Sequence, residues 1–298
     1  MKIYTSTLPS KVKVLLAPLH ETQAVTILVL FKVGSRYEHA GNNGTAHFVE
    51  HLLFKGTINR PTTLDITKEL DRIGASFNAF TSKDHTGYYI KASADHLELM
   101  MDILSDMYYN SLFDPKEIDR ERQVIVEEIN MYEDNPLMYA GDLIEQLIYG
   151  KGTPLGQLIS GPRSVIKQIS RENILKFKNQ FYHTNNAVVA IAGNIQKDRT
   201  MNMLRSAFKE PRIRKRFPKI KKFKATQQTP RVGLTYKATE QVQLALGFSA
   251  FPLEHRLLPA LYVLSTILGG NMSSRLFIRI RERLGLCYMI RSSVTAYE

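Results

Sequence analysis

The sequence predicts an α+β protein: a mixed or antiparallel sheet covered by helices, followed by an incomplete second copy of the same arrangement. Three observations carry this expectation. Strands come in pairs interleaved with pairs of helices, rather than alternating singly as in a βαβ array. An apolar strand leading through a short loop to a helix occurs at AVTILVLFKVG (24–34) and again around QVQLALGFSAF (241–251), the mark of an internal duplication. Between the two lies a basic run broken by prolines, KEPRIRKRFPKIKKFK (209–224), which reads as a solvated linker.

Taken in order, KVKVLLA (11–17) and AVTILVLFKV (24–33) are Val/Ile/Leu-rich strands bounded by Pro18 and Gly34. The loop AGNNG (40–44) precedes a helix from about 45 to 55, and a second helix over 64–73 stops at Gly74. ASFNAFTS (75–82) and TGYYIKAS (86–93) are strands separated by a polar turn. Leu97, Met100, Met101 and Leu104 recur at helical spacing within 95–110. Asp114 can cap the next helix, with Pro115 in its first turn and Glu117 at the capping-box position. Helices over 138–149 and 164–181, a strand at 186–193 and a helix near 196–208 close the first unit. The expected domains are 1–208, a linker at 209–228, and 229–298 as the N-terminal part of a second similar domain. Ending in the strand-like Ala296-Tyr297-Glu298, that second domain reads as truncated.

Composition narrows the function classes. Over 298 residues, 44% are apolar and 23% charged, which excludes disordered, collagen-like and disulfide-stapled chains. The single Cys287 has no internal partner, so a reducing compartment is expected. The N-terminus shows no secretory pattern, and no run approaches the roughly 18–20 apolar residues of a membrane span. A cytoplasmic chain without a membrane segment is the expectation. Nine Lys/Arg and one Glu in 209–224 supply eight of the twelve net positive charges, so the basicity is local and no nucleic-acid partner is expected.

The sharpest chemical signal is His47-Phe48-Val49-Glu50-His51. On a helix, residues four apart project from one face, so both imidazoles can close on one metal ion. Glu50 falls beside the same point, within an apolar segment where an uncompensated carboxylate is expensive. Zinc hydrolysis requires this set: neutral imidazole ligands, an open position for water, and a carboxylate to take its proton. The pattern also arises by chance. A third ligand is needed. Glu121 and Glu128 lie two turns apart on the helix begun by Asp114, with Glu127 pointing away; spacing alone leaves them readable as a solvated acidic face beside Arg120 and Arg122.

H-x-x-E-H at 47–51, then 76 residues, then Glu128 within ERQVIVEEINMYEDNP (121–136), resembles the pitrilysin/insulinase metallopeptidases of the processing-peptidase type. GTAHFVEHLLFKGT (44–57), NAFTSKDHTGYY (78–89), PLGQLISG (154–161) and SSRLFIRIRERLGLCY (273–288) extend the resemblance along the chain. It implies a zinc endopeptidase binding one Zn2+ per chain through His47, His51 and Glu128. Glu50 is then the general base activating the zinc-bound water, and Glu121 orients the His51 side. It further implies that the strand around Phe77, Asn78 and Ala79 pairs with extended peptide substrates, and that Arg281 and Tyr288 hold the substrate carbonyl. A homodimer or a pair with a homologous subunit is expected. A catalytically silent peptide-binding or assembly subunit is the alternative, although no ligand and no base is missing.

Overall fold

The computed structural model describes residues 2–209, 217, 218, 220 and 222–298. Much of the basic run, residues 210–216, 219 and 221, lies outside the described residues. The chain forms two compact units, residues 1–223 with 227–246, and residues 224–226 with 247–298.

The first unit is built on six strands: β1 (Tyr4–Thr7), β2 (Lys13–Pro18), β3 (Ala24–Phe31), β4 (Ser76–Thr81), β5 (Thr86–Ser93) and β6 (Ala187–Gly193). Their spatial order is β1-β2-β6-β3-β5-β4. β2 runs parallel to β6 and every other pairing is antiparallel, so the sheet is mixed. Alternation explains the layering. Val25, Ile27, Val29 and Phe31 of β3 are buried while the residues between them are half-exposed. Register sets Ile90 opposite Ile27 and Tyr88 opposite Val29, so one face collects the apolar side chains. The helices α1 (Thr45–Leu52), α2 (Thr63–Arg72), α3 (Leu97–Asn110), α4 (Pro115–Asp134), α5 (Pro136–Tyr149), α6 (Arg163–Gln168), α7 (Arg171–Phe181) and α8 (Lys197–Ala207) complete the unit, with α3 packed on β3 and β5 and α1 on β4. Phe31 packs its ring 5.3 Å from Tyr108 of α3 and 4.6 Å from Tyr182 beyond α7.

Local chemistry explains most of the boundaries. Asp114 caps α4 by accepting from Lys116 N at 2.8 Å, with Pro115 in the first turn. Glu117 meets the guanidinium of Arg120. Asn135 starts α5 by accepting from the N–H groups of Leu137 and Met138. The single helix expected over 164–181 is two, because Ser170 leaves the helical path and accepts from Asn173 N to cap α7. Strand β1 was not expected: YTST has no apolar alternation, and its pairing with β2 makes it a strand.

The second unit contains α9 (Leu258–Gly269) and a π-helical segment, Phe277–Arg283. The strand expected at 241–251 forms no ladder. A strand exists through the neighbour it bonds, and no described segment pairs with these residues.

Candidate metal centre

The helix carrying the motif begins under strong constraint. Gly44 sits at φ 97°, in the left-handed region, and a Cβ there would come within 2.6 Å of Ile166 and of the Ser160 carbonyl. The buried Glu38 carboxylate then closes the start of α1. It accepts from Gly44 N at 2.7 Å, Ala46 N at 2.6 Å and Asn43 Nδ2 at 2.8 Å. A carboxylate here satisfies otherwise unpaired N–H groups and opposes the positive end of the helix dipole. Burial nevertheless pushes its pKa up to about 8, against the pull of those three donors.

One turn further on, His47 and His51 turn their Nε2 atoms toward each other at 3.2 Å, and each lies 3.5 Å from Glu128 Oε2 on α4. Three donors on a tetrahedral zinc shell, each bonded at roughly 2.0–2.1 Å, stand about 3.3–3.4 Å apart. The observed separations bracket that value, so the residues present fit a zinc ion. The nitrogen chemistry agrees. His51 Nδ1 meets Glu121 Oε2 at 2.9 Å, which favours the Nδ1–H tautomer and leaves the Nε2 lone pair facing the other two donors.

Burial, and then the neighbouring His51, push His47 down to about 3, so its imidazole is neutral and able to ligate. His51 is raised: burial opposes its charge, but the Glu121 hydrogen bond and the carboxylates of Glu50, Glu121 and Glu128 outweigh that. Glu121 is itself buried, yet hydrogen bonds from His51 and from Lys55, whose Nζ lies 2.7 Å from Oε1, hold it below the usual carboxylate range. Glu50 is raised by burial, opposed in part by a 2.5 Å hydrogen bond from Thr81 Oγ1 to its Oε2.

The structure thus brings His47, Glu50, His51, Glu121 and Glu128 together on two packed helices. Glu127 is exposed and accepts from Asn130. Phe77, Asn78 and Ala79 lie on β4, an edge strand of the sheet. Asn78 Oδ1 accepts from Ala79 N at 2.9 Å, so that N–H points off the open edge. Arg281 and Tyr288 belong to the second unit. There the Arg281 guanidinium lies 4.6 Å from the Phe277 ring centroid and 5.4 Å from that of the exposed Tyr288.

Four residues around the site escaped the reading of the sequence: Glu38, Lys55, Thr81 and Tyr132, whose hydroxyl bonds Glu128. Lys55 and Tyr132 each stand four residues beyond a motif residue on the same run, a spacing signal that was available. Glu38 and Thr81 act across loops and gave none.

Fold and site together define a class: an α+β unit whose H-x-x-E-H helix packs against a second, glutamate-bearing helix. The family model described as Insulinase (Peptidase family M16) matches residues 13–163, which hold all five clustered residues, and the Peptidase M16 inactive domain matches residues 168–298. The chain belongs to this peptidase family. It is similar to the "Uncharacterized zinc protease YmxG" of Bacillus subtilis, 36% identical over 278 residues, covering 93% of this chain and 66% of that one. An "Uncharacterized zinc protease" of Mycobacterium leprae is 36% identical over 296 residues, covering 98% of this chain and 66% of the relative. The chain spans just under two thirds of the length of these curated relatives. Among solved structures, a protease from Helicobacter pylori superposes with a TM-score of 0.87 at 25% identity, covering 100% of this chain and 72% of that one. A peptidase M16 inactive domain from Pseudomonas fluorescens shares the fold, with a TM-score of 0.83 at 18% identity over 100% of this chain and 72% of that one.

Proposed function

We propose that the chain carries the hydrolytic site of a zinc endopeptidase acting on peptides or unfolded segments bound as an extended strand. The observation that carries this reading is the convergence of His47 Nε2, His51 Nε2 and Glu128 Oε2 at tetrahedral spacing, with Glu50 beside them. A zinc ion held by these donors would supply Lewis acidity to a water molecule and to the peptide carbonyl. Glu50, beside the three donors and held by Thr81, takes the proton from the attacking water and returns it to the leaving amine. Glu121 keeps the His51 ring in register, with Lys55 compensating its charge. The open edge of β4 at Phe77, Asn78 and Ala79 offers backbone pairing to a peptide of any sequence. Arg281 and Tyr288 are assigned to the substrate carbonyl, and a homodimer or a pair with a homologous subunit is the assembly expected.

The naming of both relatives as zinc proteases supports this reading. A cytoplasmic location is proposed on the single cysteine alone; among the described residues no helix is long and apolar enough to cross a membrane. The inactive-domain match over residues 168–298 is compatible with a second reading, a silent peptide-binding subunit.

The Glu50→Gln variant separates the two. It should keep its zinc, measured by metal analysis, while peptide turnover falls about 10²–10⁴-fold with the loss of the base. Undiminished turnover by the variant would sink the mechanism, and a zinc-loaded wild-type chain that cleaves no peptide would favour the silent subunit.

A further inference from the structure

The edge strand that carries the proposed substrate contacts also touches the proposed base. In an antiparallel pair, alternate residues direct their backbone groups toward the neighbouring strand or away from it. Ala79 N–H meets the side chain of Asn78 rather than β5, and the hairpin bond from Ser82 N to the His85 carbonyl fixes the same phase. Phe77, Ala79 and Thr81 therefore present their backbone to the open edge. Their side chains share the sheet face that packs on α1: the Phe77 ring lies 6.3 Å from Phe54, and Thr81 Oγ1 donates to Glu50 Oε2 at 2.5 Å.

We propose that Thr81 is a positioning residue for Glu50, tying the base to the strand on which substrate pairs and leaving Oε1 as the oxygen that receives the proton. This rests on the peptidase reading above. A carboxylate on a short glutamate stem has rotational freedom that the hydroxyl removes, and a misaimed base loses much of its effect. The strand contributes in two ways through one residue: the backbone of Thr81 continues the pairing edge, and its side chain fixes the base beside that edge.

The test compares Thr81→Val, which keeps shape and removes the donor, with Thr81→Ser, which keeps the donor. Thr81→Ala serves if the valine variant does not fold. Thr81→Val should lower kcat on a generic unfolded peptide about 10- to 100-fold, the scale of one lost hydrogen bond to a charged group, with KM and zinc content unchanged. Thr81→Ser should restore most of the rate. A valine variant with wild-type kcat, or one whose defect falls on KM or zinc content, overturns the proposal. If the wild-type chain cleaves nothing, the peptidase reading fails, and the Thr81 contact is decided by NMR. The 13C carboxyl resonance of Glu50, assigned by its absence in Glu50→Gln, should move in Thr81→Val and return in Thr81→Ser. An unmoved resonance overturns the proposal.

Discussion

Helices α1 and α9 are both apolar, yet they meet opposite fates. In α1, Thr45, Ala46, His47, Phe48, Val49 and Leu52 are buried. In α9, LPALYVLSTILG, only Leu258 and Gly269 are buried, while Tyr262, Val263, Leu264 and Ile267 are between 45% and 59% exposed. Apolarity alone does not bury a helix; a complementary surface does. Around α1 that surface is β4, α4 and α7. Polar atoms are held as well: Glu121 of α4 meets the ring of His51, Thr81 of β4 the carboxyl of Glu50, and Glu38, from the loop before the helix, the N–H groups of Gly44 and Ala46. The helix bearing chemistry is the one whose neighbours bury its apolar side chains and bond His51 and Glu50.

The largest effect that this comparison predicts lies in α1. Phe48 is fully buried, and Phe48→Ala should cost about 3–5 kcal/mol through lost transfer energy and an unfilled cavity. Urea unfolding followed by tyrosine fluorescence measures it; a loss under 1 kcal/mol would mean that α1 is less tightly packed than its burial indicates. Metal comes next. Zinc at a hundred times its Kd should stabilise the first unit by about 2.7 kcal/mol. A chelator should therefore reduce hydrogen-exchange protection in α1 and α4 and leave α9 unchanged. Equal changes in both units would break the assignment of the site to the first unit.

A smaller effect comes from Glu38. Its folded pKa is raised from 4.5 to about 8 by burial. The folded state therefore binds this proton more tightly than the unfolded chain does. The stability contribution is fully present below about pH 4.5 and is lost as pH rises toward 8. Between pH 5 and 8 the wild type should lose at least about 1.4 kcal/mol, one pKa unit's worth, relative to Glu38→Gln. A difference that stays flat with pH would show that the three donors keep Glu38 ionised throughout.

How much of this was legible depended on the range of the interactions. The strands β3, β5 and β6 and the start of α4 were readable, because alternation and capping act within a few residues. β1 was not, since only pairing makes YTST a strand, and the break at Ser170 was hidden by a continuous helical pattern. His47, Glu50 and His51 stood out through their spacing. Glu128 needed the family resemblance, because 76 residues separate it from His51. Spacing left Glu121 on a solvated face; it is buried because Lys55 and His51 meet it. The Thr81–Glu50 bond spans 31 positions and two elements, and nothing local announces it.

The smallest predicted effect lies in α9 and sharpens the comparison most. Ile267 is 46% exposed in an apolar helix. With so little surface removed from water, Ile267→Ala should change stability by no more than about 0.5 kcal/mol, the range of ordinary surface substitutions. Alanine's better helix propensity offsets part of even that loss. The curated relatives are longer than this chain, which covers 66% of the Bacillus subtilis protein. The same substitution should therefore be measured twice, in this chain and in one extended by the part of that relative which this chain does not cover. If residues of the extension pack on α9, the cost should rise to about 2–5 kcal/mol, as for a buried isoleucine. A cost already that large in the present chain would mean that α9 is covered in solution, by another copy or by its own unit. The contrast with α1 would then fail.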